Sequence, residues 1–160
     1  MSDLENQGNH FLPLSKEQAR EILISHSKNP RNHKTIQSDF YASAKNPICG
    51  DEVSVQLSLQ TESLDQTVSE VGIQVQACAI CTASASLMSE MILRKKITDI
   101  KKLSAQFSEQ LTNSNFLQTP WPPELQHLGA LEHLKINKTR LSCGLLPWIC
   151  LGYVLRKTES

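Results

Sequence analysis

Three cysteines and one aspartate stand in three separated segments, each with its own local pattern. These are Asn46-Pro-Ile-Cys49-Gly-Asp51, Ala77-Cys78-Ala-Ile-Cys81-Thr-Ala-Ser-Ala-Ser86 and Ser142-Cys143-Gly-Leu-Leu-Pro-Trp148. Thiolates are soft ligands that select zinc or iron–sulfur chemistry, and a carboxylate completes a tetrahedron around such an ion. Cys49 and Asp51, at i and i+2, share a face if the backbone between them is extended. Gly50 leaves no side chain there to obstruct an ion. Cys78 and Cys143 are expected near helix N-termini, where the macrodipole and free N–H groups favour the thiolate. Three thiolates and a carboxylate carry more negative charge than a divalent ion cancels, and Arg140, three residues before Cys143, is a candidate compensating cation.

The same residues also admit plainer readings. A free cysteine often serves as a small buried hydrophobe, and Cys150 lies on an apolar helical stripe that suits this role. Cys78-Ala-Ile-Cys81 matches C-x-x-C, the pattern of a redox pair or of half a zinc knuckle. No second C-x-x-C exists, which excludes a four-cysteine knuckle, and the flanks lack a βαβ pattern. Cys81 is ambiguous: it could compete for metal, resolve a persulfide at Cys78, or pack passively under the following helix. His10, His26, His33, His127 and His133 show no mutual ligand spacing and are expected at the surface or as caps. Arg94-Lys95-Lys96 with Lys101-Lys102 is a solvated helix face or a docking surface. Without interleaved aromatics it gives no sign of nucleic-acid binding.

The chain has 160 residues, sixteen basic and sixteen acidic, with 39% apolar and 20% charged side chains. That composition is globular, and its zero net charge offers no general attraction to nucleic acid or an anionic membrane. Five cysteines are an odd number for a disulfide framework. The polar start Met1-Ser-Asp-Leu-Glu-Asn6 has no apolar signal core, and no apolar stretch approaches the length needed to span a bilayer. A cytoplasmic protein with reduced thiols is expected.

The elements that must position the four side chains follow from hydrophobic periodicity. Residues 1–14 read as a flexible leader and 15–160 as a single domain. Ser15-Lys-Glu-Gln18 has the form of a capping box, Ala19, Ile22, Leu23 and His26 continue at helical spacing, and Asn29-Pro30 ends the helix. Phe40–Ala44, Val53–Leu59 and Val71–Val75 are strand candidates, with polar 60–69 as the turn between the last two. Ile80, Ala83, Leu87, Met88, Met91 and Ile92 form one helical stripe, and Ile97, Ile100, Leu103, Phe107 and Leu111 a second. Residues 112–124, with three prolines, read as a loop, and 124–134 as a short helix. The last helix carries Leu146, Ile149, Cys150, Tyr153 and Val154, with Pro147 in its first turn. The expected class is α+β: a small antiparallel sheet of about three strands, helices on one face, and the metal site at one end.

Taken together, Asn46-Pro-x-Cys49-Gly-Asp51, Cys78-Ala-Ile-x-Thr-Ala-Ser-Ala-Ser86 and Arg140-x-x-Cys143-x-Leu-Leu-Pro-Trp148 resemble the NifU/IscU-like scaffold family, in particular its SufU type. Ser27-Lys-Asn-Pro-Arg-Asn32 resembles the end of that family's first helix. The resemblance runs from about residue 16 to 155. It implies an α+β fold and Cys49, Asp51, Cys78 and Cys143 as metal ligands. It also implies work in iron–sulfur cluster assembly beside a PLP-dependent cysteine desulfurase of the SufS type and downstream assembly proteins. In the SufU type the ion is usually zinc, and the cysteine matching Cys49 accepts persulfide sulfur, making the protein a sulfurtransferase. In the IscU type the same ligands hold a nascent [2Fe–2S] cluster on a non-enzymatic scaffold. IscU-type proteins carry His directly before the third cysteine, where this chain has Ser142. The 65-residue separation of Cys78 from Cys143 leaves room for the additional helical segment of the SufU type. Where the family favours glycines this chain has Val75 and Ala77, and Cys81 replaces what is commonly Ser.

Overall fold

Ser15 starts the first helix as its sequence dictates. Its hydroxyl accepts the Gln18 N–H at 3.1 Å, and the Gln18 side chain accepts the Ser15 N–H at 3.0 Å. Helix α1 (Lys16–Lys28) ends at Asn29, before Pro30. The computed structural model describes residues 14–62, 64–112, 123–136 and 138–159, so the expected leader lies, but for Leu14, outside the described residues.

Three strands follow: β1 (Phe40–Lys45), β2 (Glu52–Glu62) and β3 (Asp65–Gln76). They form one antiparallel sheet in the order β1-β2-β3. Val53, Val55 and Leu57 of β2 are fully buried, as their period of two requires. Opposite them, Val53 pairs with Val75 and Val55 with Ile73, while Ala42 of β1 pairs with Val55. Val53, Val55, Leu57 and Ile73, all fully buried, each contribute about 1.5–3 kcal/mol by leaving water. Gly72 of β3 is required by crowding: a Cβ there would meet the Lys34 carbonyl oxygen at 2.6 Å.

The hairpin corrects one expectation. Residues 60–69 are not a long turn, because pairing continues to Glu62↔Asp65, past a bulge at Ser58/Leu59. Residues 60–62 are exposed, so this end of the hairpin carries no apolar alternation to betray it.

Helices α2 (Ala79–Ile92) and α3 (Ile97–Thr112) match the two predicted stripes. A 3-10 helix, η1 (Pro123–Ile136), stands where a short helix was expected, and most of the proline loop before it lies outside the described residues. The last helix, α4 (Lys138–Lys157), lies on β1 and β2, α2 lies on β3 and α4, and α1 lies on α2. The whole is α+β, a three-stranded antiparallel sheet with packed helices. Among the described residues no helix is long and apolar enough to cross a membrane.

Helix α4 brings a second correction. It begins at Lys138, so Pro147 sits in its interior rather than in its first turn. Proline has no N–H, so the Cys143 carbonyl loses its helical donor, and the ring crowds that carbonyl. Tertiary contacts hold the segment in place. The Ser84 hydroxyl donates to the Gly144 carbonyl at 2.6 Å and accepts from Trp148 Nε1 at 3.1 Å. The Trp148 ring stacks on Phe107, with centroids 4.2 Å apart. Helices α2, α3 and α4 are thereby locked together beneath Cys143.

Candidate metal centre

The loop between β1 and β2 is built by its own backbone. Asn46 N–H donates to the Asp51 carbonyl at 2.8 Å, and Gly50 N–H donates to the Asn46 carbonyl at 2.9 Å. The Asn46 side chain accepts the Ile48 N–H at 3.1 Å, an Asx turn. Gly50 has φ +76°, a left-handed conformation that favours glycine. Cys49 and Asp51 thus come together around a tight turn, not along the extended backbone expected from their spacing. The turn leaves Cys49 exposed at its tip beside Ile48, which is 90% exposed, while Asp51 turns inward and is buried.

Cys78 lies between β3 and α2 and is the N-cap of α2, as predicted. Its N–H donates to Asp51 Oδ1 at 3.0 Å, and its sulfur accepts the Cys81 N–H at 3.5 Å. Cys143 departs from expectation: it is in the second turn of α4, not at the helix start, and is buried. Burial pushes its thiol up from the ordinary range, and neighbouring Asp51, Cys78 and Cys49 add to the effect.

Cys49 Sγ and Cys143 Sγ are 3.9 Å apart, and one ligand atom each from Cys49, Asp51 and Cys143 lies within 4.8 Å of the others. Tetrahedral zinc with Zn–S bonds of about 2.3 Å holds its sulfurs about 3.8 Å apart, so the spacing matches an ion's coordination shell. Cys78 borders the same carboxylate. Burial alone would push Asp51 up, but the Cys78 N–H and the thiols of Cys49, Cys143 and Cys78 outweigh it and hold the carboxyl below its ordinary value. Its other oxygen decides the fit. Asp51 Oδ2 is, among the described residues, the one buried side-chain oxygen or nitrogen with no hydrogen-bond partner. An unpaired buried carboxylate oxygen is costly, and a cation held by the surrounding sulfurs would satisfy it. The donor set therefore fits a soft divalent metal.

The remaining cysteines stay in the core. Cys81 is fully buried beneath the site and its thiol is pushed up by burial, then by Asp51, Cys78 and Cys49. Cys150 donates to the Ala42 carbonyl at 3.3 Å, and burial pushes it up to about 11. Arg140 is exposed on the first turn of α4. His26 corrects the surface reading of the histidines: it is buried, with Nδ1 2.7 Å from Ser86 Oγ.

Residues 18–135 match the NifU-like N terminal domain family. The zinc-dependent sulfurtransferase SufU of Bacillus subtilis (strain 168) is 26% identical over 141 residues, covering 88% of this chain and 91% of that one. The iron–sulfur cluster assembly scaffold protein IscU of Streptococcus pyogenes serotype M1 is 23% identical over 139 residues, covering 87% and 83%. Among solved structures, a putative iron–sulfur cluster assembly scaffold protein for the SUF system from Fervidobacterium islandicum AW-1 superposes with a TM-score of 0.68. It is 24% identical and the match covers 84% of this chain and 94% of that one, a likeness of fold.

Proposed function

This chain belongs to the NifU-like N-terminal domain family, and from that premise we propose that it is a SufU-type sulfur acceptor and transfer protein of iron–sulfur cluster assembly. Residues 15–160 act as one domain in this reading, in the cytoplasm. The donor is the persulfide of a PLP-dependent cysteine desulfurase of SufS type, and downstream assembly proteins receive the sulfur. The observation that carries it is the orphaned, buried Asp51 Oδ2 among thiols, beside an exposed Cys49.

Cys49, Asp51, Cys78 and Cys143 would hold zinc. When bound, zinc would keep the thiols deprotonated and tie the three segments together. The chain's own residues divide the remaining work. Cys49, at the tip of the Asx turn, is the reacting thiol. Its thiolate attacks the outer sulfur of the donor's persulfide: a bond forms between Cys49 and that sulfur, the donor's S–S bond breaks, and the donor cysteine leaves as thiolate. Asp51, fixed by the Cys78 N–H, supplies a harder and more labile ligand than a fourth thiolate. Cys143, buried on α4, anchors the site from the core side.

The test is sulfur acceptance from a desulfurase, with metal analysis of anaerobically purified protein. About one zinc per chain with no visible absorbance, and loss of acceptance in Cys49→Ala, are expected. Full acceptance by Cys49→Ala would overturn the role of Cys49. The same four ligands can also carry a [2Fe–2S] cluster as cargo, the IscU-like scaffold reading. Iron with acid-labile sulfide in the purified protein would establish that reading instead.

A further inference from the structure

Cys81 is the thiol next to the site that the ligand set does not use. It is the third residue of α2, while Cys78 is the cap of the same helix. The Cys81 N–H points at Cys78 Sγ from 3.5 Å, and a residue's Cβ lies only about 2.5 Å from its own nitrogen. Side chains in the first turn of a helix lean toward its N-terminus, which carries the Cys81 side chain toward the cap. The two sulfurs can meet by side-chain rotation within one turn, and disulfides tolerate Cα separations of about 4.4–6.8 Å. The two thiols are also unequal: Cys78 is exposed and Cys81 is fully buried.

We infer that Cys78 and Cys81 form a redox dithiol, in which a hydroperoxide oxidises Cys78 and Cys81 resolves it to an intramolecular disulfide. In the first step the Cys78 thiolate attacks one peroxide oxygen. An S–O bond forms, the O–O bond breaks, and hydroxide or alkoxide leaves, so sulfur is oxidised by two electrons and the peroxide reduced by two. In the second step the Cys81 sulfur attacks the sulfenic sulfur. The S–S bond forms, the S–O bond breaks, and the Cys81 proton departs with hydroxide as water. Burial shields Cys81 from the oxidant, so the exposed Cys78 is attacked first. The disulfide removes Cys78 from the ligand set, so oxidation releases the metal, and a dithiol reductant restores the site. Where the family commonly has Ser at this position, a hydroxyl could not close the bond.

A rival pair exists in the same site, because Cys49 Sγ and Cys143 Sγ are 3.9 Å apart. Cys143 is held inside α4, whereas the 78–81 pair closes the smaller ring on a single turn.

The inference does not depend on sulfur transfer, and its test reads thiols and masses rather than activity. The full chain is treated with limiting hydrogen peroxide, the remaining thiols are alkylated, and the products are sequenced by fragmentation mass spectrometry. The wild type is expected to lose two of its five thiols, with the new bond at Cys78–Cys81, and to recover both with dithiothreitol. Cys81→Ser and Cys81→Ala are expected to form no such bond and, when peroxide is then added in excess, to carry Cys78 on to sulfinic acid through a second two-electron oxidation that dithiothreitol does not reverse. A bond at Cys49–Cys143 with Cys81 still alkylatable would overturn the inference. So would sulfinic acid at Cys78 forming equally fast in wild type and both variants.

Discussion

Two of the buried polar clusters along helix α2 are finished differently. At its middle, Ser86 Oγ accepts the Arg31 N–H at 2.8 Å and lies 2.7 Å from His26 Nδ1. Ser89 donates to the Ser86 carbonyl at 2.7 Å and accepts from the Asn32 side chain at 3.0 Å. Asn32, at φ +59°, passes its carbonyl to the Ile73 N–H at 2.9 Å. This cluster docks α1 and the following loop onto α2 and β3, and its central groups are paired. At the N-terminal end of the same helix, the Asp51 cluster is just as carefully held, yet one carboxylate oxygen has no partner. Two buried polar sites on one helix therefore teach a rule for this fold: closed hydrogen bonding marks architecture, and a held but unpaired donor set marks a place for a ligand.

The sharpest way to break the comparison is to remove a group from each cluster. Cys143→Ala should lower metal affinity by more than about a hundredfold, the loss of a ligand exceeding that of a supporting contact. Folding should persist, and elemental analysis after gel filtration reads the result. Retained stoichiometric metal would mean that Cys143 is ordinary core. Ser86→Ala should do the reverse. It strands the Arg31 N–H and the His26 ring and should cost about 2–3 kcal/mol in chemical denaturation, with metal content unchanged. Loss of metal in Ser86→Ala would show that the clusters are one unit.

A smaller effect separates them by pH. Burial first, then the charges of Arg31 and His127, hold His26 below its ordinary value, against the opposing pull of Glu90. A neutral ring accepting the Ser86 hydroxyl proton at Nδ1 agrees with this. A base with a lowered native pKa binds its proton first in the unfolded state, so stability is lost as pH falls below the ordinary histidine value of 6.5. Asp51 has a lowered carboxyl pKa, so its contribution is present above 3.8 and is lost only at lower pH. Denaturation midpoints between these two values should therefore fall with acidification in the wild type. They should fall less in His26→Asn, whose amide can keep the bond to Ser86. Equal slopes would remove His26 as the cause.

What could be read from the sequence follows the same division. The apolar alternation of Val53, Val55 and Leu57 and the stripes of α2 and α3 are statements about burial, which periodicity reports directly. The far end of the β2–β3 hairpin was misread because residues 60–62 are exposed and leave no pattern. The start of α4 was misplaced because its first residues, Lys138, Thr139 and Arg140, are exposed, and because Pro147 looked like a beginning. At the site, residue types alone suggested Cys49, Asp51, Cys78 and Cys143; the structure gathers ligand atoms of Cys49, Asp51 and Cys143, and joins Cys78 to Asp51 through its N–H. The turn at Gly50, the orphaned oxygen and the inward placement of Cys143 depend on tertiary contacts that no local spacing encodes. His26 was legible only as a residue on the inner stripe of α1, since its partner Ser86 is distant in sequence.

The chain order of the four side chains has a consequence for biosynthesis. Cys49, Asp51 and Cys78 leave the ribosome early, while Cys143 is carried by α4, the last element described. Until α4 docks on β1 and β2, the nascent chain presents an open three-residue claw. Closing it costs the entropy of joining distant segments, which the packing of α4 residues such as Trp148, Leu151 and Val154 helps to offset. In the zinc-binding reading, tight capture therefore waits until α4 has been made and docked.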